Sequence, residues 1–153
     1  MISFETPGGG QVELVHLLLD VNGTLTTAGE LLPDIAPRID SLKQLLEIRL
    51  VSADTFGTLE RIGTTLGVQT APVPDGAAKL DLLQRLGADR AVHIGNGAND
   101  AAALHHAALG LAVLGPEGLS TAALLAADAV FASTSEALDA LIDPRRLTAT
   151  LRS

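Results

Sequence analysis

Apolar and polar positions follow two different spacings along this chain. Residues 17–19 form a continuous apolar run, which is typical of a strand buried on both faces. Ile35, Ile39, Leu42 and Leu46 recur every three or four residues, which is typical of a helix with one buried side. The predicted strands cover 2–5, 11–19, 48–51, 68–73, 90–94, 110–114 and 128–132. The predicted helices cover 35–46, 55–66, 76–86, 99–108, 119–126 and 134–142, and the tail after Pro144 is predicted as a helical turn or a loose end.

The order of these elements predicts the fold class. Strands and helices alternate with short links, as in βα units that build a parallel sheet. We therefore expect an α/β protein, a three-layer Rossmann-like domain with a mostly parallel sheet, helices on both faces and an N-terminal β-hairpin around 7–10. A chain of 153 residues can bury one real core, so one domain over 1–153 is expected. The connection at 23–34 is too short for a separate cap domain.

Composition narrows the function classes. The chain is 47% hydrophobic, which argues against disorder. A net charge of −8 and an aromatic content of 2% argue against a nucleic-acid partner, which needs a basic patch or stacking platforms. No apolar run approaches ~20 residues and no signal peptide precedes the first strand, so no membrane partner and a cytoplasmic location are expected. Without cysteine, disulfide and thiolate chemistry are excluded.

Chemically useful side chains stand at the ends of several predicted strands. Asp20 closes the first buried strand, Ser52 follows another, and the stretch 95–100 follows a third; Lys79 lies in the first turn of the helix 76–86. The carboxyl ends of parallel strands share one edge of the sheet, so these groups should converge there. A carboxylate, a hydroxyl, an ammonium and a glycine-rich loop together suit phosphoryl transfer to Asp20. Such a site usually requires Mg²⁺ as well.

Four stretches carry a family resemblance. "LLLDVNGTLT", "LVSAD", "AAKLDLL" and "VHIGNGANDAAAL" resemble, in order and spacing, the four motifs of the haloacid dehalogenase superfamily of phosphotransferases. The resemblance extends over residues 12–142. "GNGANDAAAL" is also similar to the signature of P-type ATPase phosphorylation domains. With its short insert, the chain resembles the small, soluble P-type-ATPase-like branch that lacks a large cap domain.

The resemblance implies a role for each matching residue. Asp20 would be the nucleophile that forms an aspartyl-phosphate, with Asn22 and Lys79 as the other catalytic positions. The implied substrate-binding residues are Gly23, Thr24, Ser52, Ala53 and Lys79. The implied Mg²⁺ ligands are Asp20, the backbone carbonyl of Asn22, Asn96 and Asp100. The implied partner is a small phosphorylated substrate or a phosphoprotein.

Two positions depart from the family pattern. Hydrolytic members usually carry Asp two residues after the nucleophile, as general acid and then base, but this chain has Asn22, which cannot exchange a proton. The position of Asn96 is usually Asp; an amide oxygen still binds Mg²⁺ but adds no charge. Asp100 remains as the anionic member of the loop. Slow turnover is therefore expected.

Several alternatives remain open at this point. Asn22-Gly23 alone would be a hairpin turn, Ser52 an ordinary loop serine and Lys79 a solvated helix residue. A dinucleotide loop at 95–100 is disfavoured because Asp100 would repel a pyrophosphate.

Other readings concern the histidines, the function and the assembly. No zinc-like spacing links the histidines, so they are interpreted as core or surface residues. The alternative function is a catalytically weakened phosphate-binding or regulatory protein. The crevice is left open either for a bulky substrate or for a neighbouring subunit of a homo-oligomer.

Overall fold

A computed structural model describes residues 1–53 and 57–152. Its strands are β1 (Ile2–Glu5), β2 (Gln11–Leu14), β3 (His16–Asp20), β4 (Thr26–Thr27), β5 (Glu30–Leu31), β6 (Glu47–Ser52), β7 (Gln69–Pro72), β8 (Ala91–Gly95), β9 (Leu109–Val113) and β10 (Ala129–Phe131). Its α-helices are α1 (Ile35–Leu42), α2 (Thr58–Leu66), α3 (Gly76–Leu86), α4 (Ala101–His106), α5 (Thr121–Ala126), α6 (Thr134–Ile142) and α7 (Arg145–Thr150).

A six-stranded parallel sheet forms the centre of the fold. Its strand order is β10-β9-β8-β3-β6-β7, so β3 lies between β6 and β8 and pairs with both. Leu17 and Leu19 pack into one hydrophobic cluster and Leu18 into another, because successive strand residues point to opposite faces. The expectation of a strand buried on both sides is confirmed.

Helices cover both faces of this sheet, which confirms the three-layer α/β fold. Helices α1, α2, α6 and α7 pack together on one face, whereas α3, α4 and α5 pack on the other. Helix α1, for example, contributes an apolar stripe of Ile35, Ile39 and Leu42, all fully buried. The predicted N-terminal hairpin is also present, as the antiparallel pair β1–β2.

The boundaries of some elements differ from the predicted ones. The predicted strand 11–19 is two strands, because the backbone of Val15 bonds Arg90 and Glu47 between them. The helix predicted over 35–46 ends at Leu42 and continues as turns. The start of the helix predicted over 55–66 lies outside the described residues, which resume before α2. The hairpin β4–β5 was not predicted.

No helix within the described ranges is both long and apolar enough to cross a bilayer.

Candidate active site

The C-terminal edge of the central strand holds Asp20 in a buried setting. Asp20 is the last residue of β3 and is 6% exposed. Its Oδ1 accepts a hydrogen bond from Lys79 Nζ at 3.1 Å, and Thr24 Oγ1 lies 3.2 Å from its Oδ2. The carboxylate therefore stands at the position where open parallel sheets bind ligands, held on both oxygens.

Lys79 reaches Asp20 from the start of α3. Asp75 caps this helix by accepting from the backbone N–H of Ala78 at 2.8 Å, and the first turn then directs Lys79 inward. Its ammonium is 1% exposed and lies 3.1 Å from Asp20 and 2.5 Å from Asp100. Lys79 is thus a buried partner of two carboxylates, not a solvated surface residue.

Asp100 is bonded on both carboxylate oxygens. Its Oδ1 accepts from Lys79 and lies 2.8 Å from His93 Nε2. Its Oδ2 accepts the backbone N–H groups of Asn96 at 3.1 Å and Gly97 at 3.0 Å. Four donors occupy this fully buried carboxylate, so it holds the loop 96–100 and Lys79 in place.

The electrostatics separate the two carboxylates. Burial raises the pKa of Asp20 to about 6, and the negative charge of Asp100 adds to the rise while Lys79 opposes it. Burial alone would also raise the pKa of Asp100, but the hydrogen bond from His93 and the charges around it outweigh that effect and lower its pKa. Burial disfavours the charge of Lys79, yet Asp20 and Asp100 raise its pKa overall. Two carboxylates and one ammonium leave a net negative charge that suits a cation.

The donor set fits a Mg²⁺ ion. Thr24 Oγ1 lies 3.2 Å from Asp20 Oδ2 and 3.1 Å from Asn96 Oδ1, so two acceptor oxygens converge on one hydroxyl proton. Carboxylate and amide oxygens are ligands that Mg²⁺ takes, usually with one or two carboxylates and several waters. Within residues 1–53 and 57–152, no three Asp, Glu, His or Cys side chains form a metal-holding group. A metal ion at this site would therefore have to combine carboxylate, amide and backbone oxygens.

The remaining predicted residues lie around Asp20. Asn22 Nδ2 donates to Ser52 Oγ at 3.2 Å, which links the loop directly after Asp20 (residues 21–24) to the end of β6. Ala53 follows β6 directly. Gly23 adopts a φ of 73°, a conformation that favours glycine. The structure therefore brings the predicted residues of three strand ends and one helix start to a single edge.

Sequence reasoning missed the role of His93. This residue of β8 is fully buried, which agrees with its interpretation from the sequence as a core or surface histidine. Within the described part of the chain, its Nδ1 has no hydrogen-bond partner, while Nε2 faces Asp100. A polar residue inside an apolar parallel strand was the one available signal.

Sequence comparison assigns the family. The sequence model described as haloacid dehalogenase-like hydrolase matches residues 5–108. This chain therefore belongs to the haloacid dehalogenase-like hydrolases, as the four motifs indicated. It is also 39% identical, over 79 residues, to an uncharacterized protein of Methanocaldococcus jannaschii, a match that covers 49% of this chain and 85% of that one.

Solved structures share the fold over most of the chain. The cobalt-bound deoxy-D-mannose-octulosonate 8-phosphate phosphatase of Haemophilus influenzae is 18% identical with a TM-score of 0.72, covering 92% of this chain and 94% of that one. A phosphatase of Moraxella catarrhalis in complex with magnesium ion, phosphate ion and 3-deoxy-D-manno-octulosonate is 16% identical, with a TM-score of 0.69 and coverages of 89% and 90%. At these identities the likeness supports the fold alone.

A pump domain shares the fold too. A zinc-transporting PIB-type ATPase in the E2.Pi state is 26% identical with a TM-score of 0.67, and the match covers 78% of this chain but 20% of the pump. The resemblance to P-type ATPases noted in the sequence is thus matched by structural similarity.

Proposed function

We propose that this protein is a Mg²⁺-dependent phosphohydrolase or phosphotransferase that works through an aspartyl-phosphate on Asp20. The observation that supports it most is the buried ion-paired chain from Asp20 through Lys79 to Asp100 at the carboxyl edge of the parallel sheet. An oxygen of Asp20 attacks phosphorus, and the bond from phosphorus to the leaving oxygen breaks. Water then cleaves the acyl phosphate, which releases inorganic phosphate and restores the carboxylate.

Lys79 serves the phosphoryl group in this scheme. Its ammonium already faces Asp20, so it would offset the charge that gathers on the phosphoryl oxygens during transfer. Ser52, Ala53, Gly23 and Thr24 surround the same carboxylate and would provide hydroxyl and backbone donors.

Three oxygen ligands are proposed around the cation. Asp20, the backbone carbonyl of Asn22 and Asn96 would hold Mg²⁺, whereas Asp100 would act on the site through Lys79. The chemistry that bound Mg²⁺ supplies is neutralisation of charge on the phosphoryl oxygens.

Asn22 limits the second half of the reaction. Its amide can neither protonate a leaving oxygen nor deprotonate water, and its Nδ2 is engaged with Ser52. We therefore expect a phosphoenzyme that forms and breaks down slowly. The same observation favours the second candidate function, a phosphate-binding or regulatory protein that retains the site with little turnover. Small phosphorylated molecules and phosphoproteins are both proposed partners.

A substrate screen with matched variants tests the proposal. Phosphate release from a set of phosphomonoesters is measured with Mg²⁺ for the wild type, Asp20→Asn and, as a control away from the site, Asp81→Asn. Activity in the wild type and in Asp81→Asn that disappears in Asp20→Asn supports the phosphoaspartyl mechanism. Activity that survives in a pure Asp20→Asn preparation places the chemistry elsewhere. Binding of beryllium fluoride without turnover favours the regulatory function.

A further inference from the structure

A tight turn after β9 lies beside the candidate site. The backbone N–H of Gly118 donates to Gly115 O at 2.9 Å and closes the turn. Two bonds fasten it to Asn96: Asn96 Nδ2 donates to Gly118 O at 3.1 Å, and the backbone N–H of Ser120 donates to Asn96 O at 2.8 Å. The turn is thus fixed to a residue proposed to face the cation.

The same turn contacts the loop that follows Asp20 (residues 21–24), which we call the nucleophile loop. A Cβ on Gly115 would overlap the carbonyl oxygen of Gly23, so the two backbones are in close contact. A Cβ on Gly23 would lie 2.7 Å from Glu117 Oε2 and 2.8 Å from Asn96 Nδ2. The carboxylate of Glu117 and the amide of Asn96 therefore lie against the same side of Gly23.

Glu117 is available for a ligand. The residue is exposed, and its carboxylate has no hydrogen bond or ion pair with any residue that the structure describes. The Glu117 Cβ also lies 3.2 Å from that constructed Gly23 Cβ, so its backbone position brings it to the rim of the site.

Although the site as a whole is net negative, its proposed cation ligands carry only one negative charge, that of Asp20. Asn96 contributes a neutral oxygen, and the oxygens of Asp100 already accept four hydrogen bonds. Of these residues, Asp20 alone has a charged oxygen that shares the Thr24 hydroxyl with the side-chain oxygen of Asn96. Charge attracts a cation without direct contact, and the attraction is strongest at short range.

We propose that Glu117 supplies the second negative charge of the divalent-cation site and replaces the charge that Asn96 lacks. The inference rests on the proposed function, because it assumes that Mg²⁺ binds beside Asp20. Glu117 acts here as a positioning residue for the cation and takes no part in bond making.

Calorimetric titration with Mg²⁺ alone tests this role without any turnover. Four proteins are compared: wild type, Glu117→Gln, Asp20→Asn, and Glu5→Gln as a matched control on the N-terminal hairpin. We expect Glu117→Gln to weaken Mg²⁺ binding about tenfold or more, which is the usual effect of losing an outer partner of a metal site. Glu5→Gln should bind like the wild type.

A double variant tests the compensation directly. If Glu117 replaces the charge missing at position 96, Asn96→Asp should tighten Mg²⁺ binding by a larger factor in the Glu117→Gln background than in the wild type. Equal factors in the two backgrounds would overturn the compensation.

The outcomes separate the two proposals. Normal binding by Glu117→Gln, together with lost binding by Asp20→Asn, overturns the role of Glu117 and leaves the proposed function intact. A wild type that binds no Mg²⁺ at millimolar concentration overturns both. Circular dichroism confirms that each variant is folded.

Discussion

At the scale of single residues, Asp20 and Asp100 are two buried carboxylates that share one lysine and differ in their environment. Asp100 receives four donors, whereas Asp20 receives Lys79 and a shared hydroxyl. Asp100 is therefore stabilised as an anion, whereas ionising the buried Asp20 costs free energy of folding. This setting fits the nucleophile role proposed for Asp20, because a carboxylate satisfied by four donors would attack poorly.

Stability measured without metal should reveal this difference. Asp20→Asn should raise the free energy of unfolding at pH 8 by up to about 3 kcal/mol, given a pKa near 6 instead of 3.8. The folded state binds the Asp20 proton more tightly than the unfolded state does. The contribution of Asp20 to wild-type stability therefore falls as pH rises from about 4 to 6, and below about pH 4 the variant should have no stability advantage. Urea unfolding in EDTA, followed by circular dichroism, measures it.

Asp100→Asn should act in the opposite direction. Its lowered pKa means that the carboxylate stabilises the fold above its ordinary value of 3.8 and loses that contribution as pH falls below it. The variant should lose about 3–5 kcal/mol at neutral pH, as expected when a buried ion pair loses one partner. The same urea titration measures the loss, and stabilisation by both Asn variants would contradict this account of the two sites.

Asn22 is the residue on which turnover should depend. Asn22→Asp should accelerate phosphate release from the phosphoenzyme, toward the ~10²–10⁴-fold that a general base contributes. Single-turnover phosphate release measures the rate, and Asn99→Asp is the control, since it adds the same charge at an exposed position nearby. An unchanged rate in an Asn22→Asp protein that still phosphorylates would show that position 22 is only a turn.

At the scale of elements, regular periodicity decided what the sequence could predict. The helices Gly76–Leu86 and Thr134–Ile142 were predicted to the residue, because apolar spacing and a terminal glycine or a capping serine mark their ends. The hairpin β4–β5 could not be predicted, because two-residue strands have no periodic pattern.

Part of the site could be predicted from the positions of strand and helix ends, which bring together Asp20, Asn22, Ser52 and Lys79. The backbone donors that hold Asp100 could not be predicted, since no side-chain pattern encodes them.

The contact between the turn after β9 and the nucleophile loop gives a prediction at this scale. Gly115→Ala would place a methyl group onto the Gly23 carbonyl. Moving backbone atoms aside costs more free energy than moving the end of a flexible side chain. We expect a loss of about 1–3 kcal/mol, typical of overpacking, together with reduced activity. Thermal unfolding and phosphate release measure both effects.

Gly8→Ala is the matched control for this substitution, since nothing lies within 4 Å of its added methyl group. Equal behaviour of the two alanine variants would contradict the close approach of the two loops.

At the scale of the whole molecule, the two ends of the chain share one core. Ile2 of β1 and Leu147 of α7 belong to the same hydrophobic cluster, and Thr148 Oγ1 donates to Glu5 O at 3.1 Å. Such a core favours cooperative unfolding.

Leu147→Ala should therefore destabilise the entire domain. Leu147 is fully buried, and its truncation should cost about 2–5 kcal/mol, lowering one common transition in calorimetry and in circular dichroism. Leu125, which is 79% exposed, provides the control, because Leu125→Ala should change stability by less than about 0.5 kcal/mol. Local fraying of α7 without a shift of the main transition would contradict a single cooperative core.

The strand order has a consequence for synthesis on the ribosome. β3 is made well before one of its two neighbours, β8, which begins only at Ala91. Until that segment emerges, the nascent chain carries an apolar strand with an open edge, which is the kind of surface that pairs with other chains or recruits chaperones. Asp20 likewise pairs with a residue made later, Lys79, so a nascent chain halted before residue 79 would carry this carboxylate without its ammonium partner.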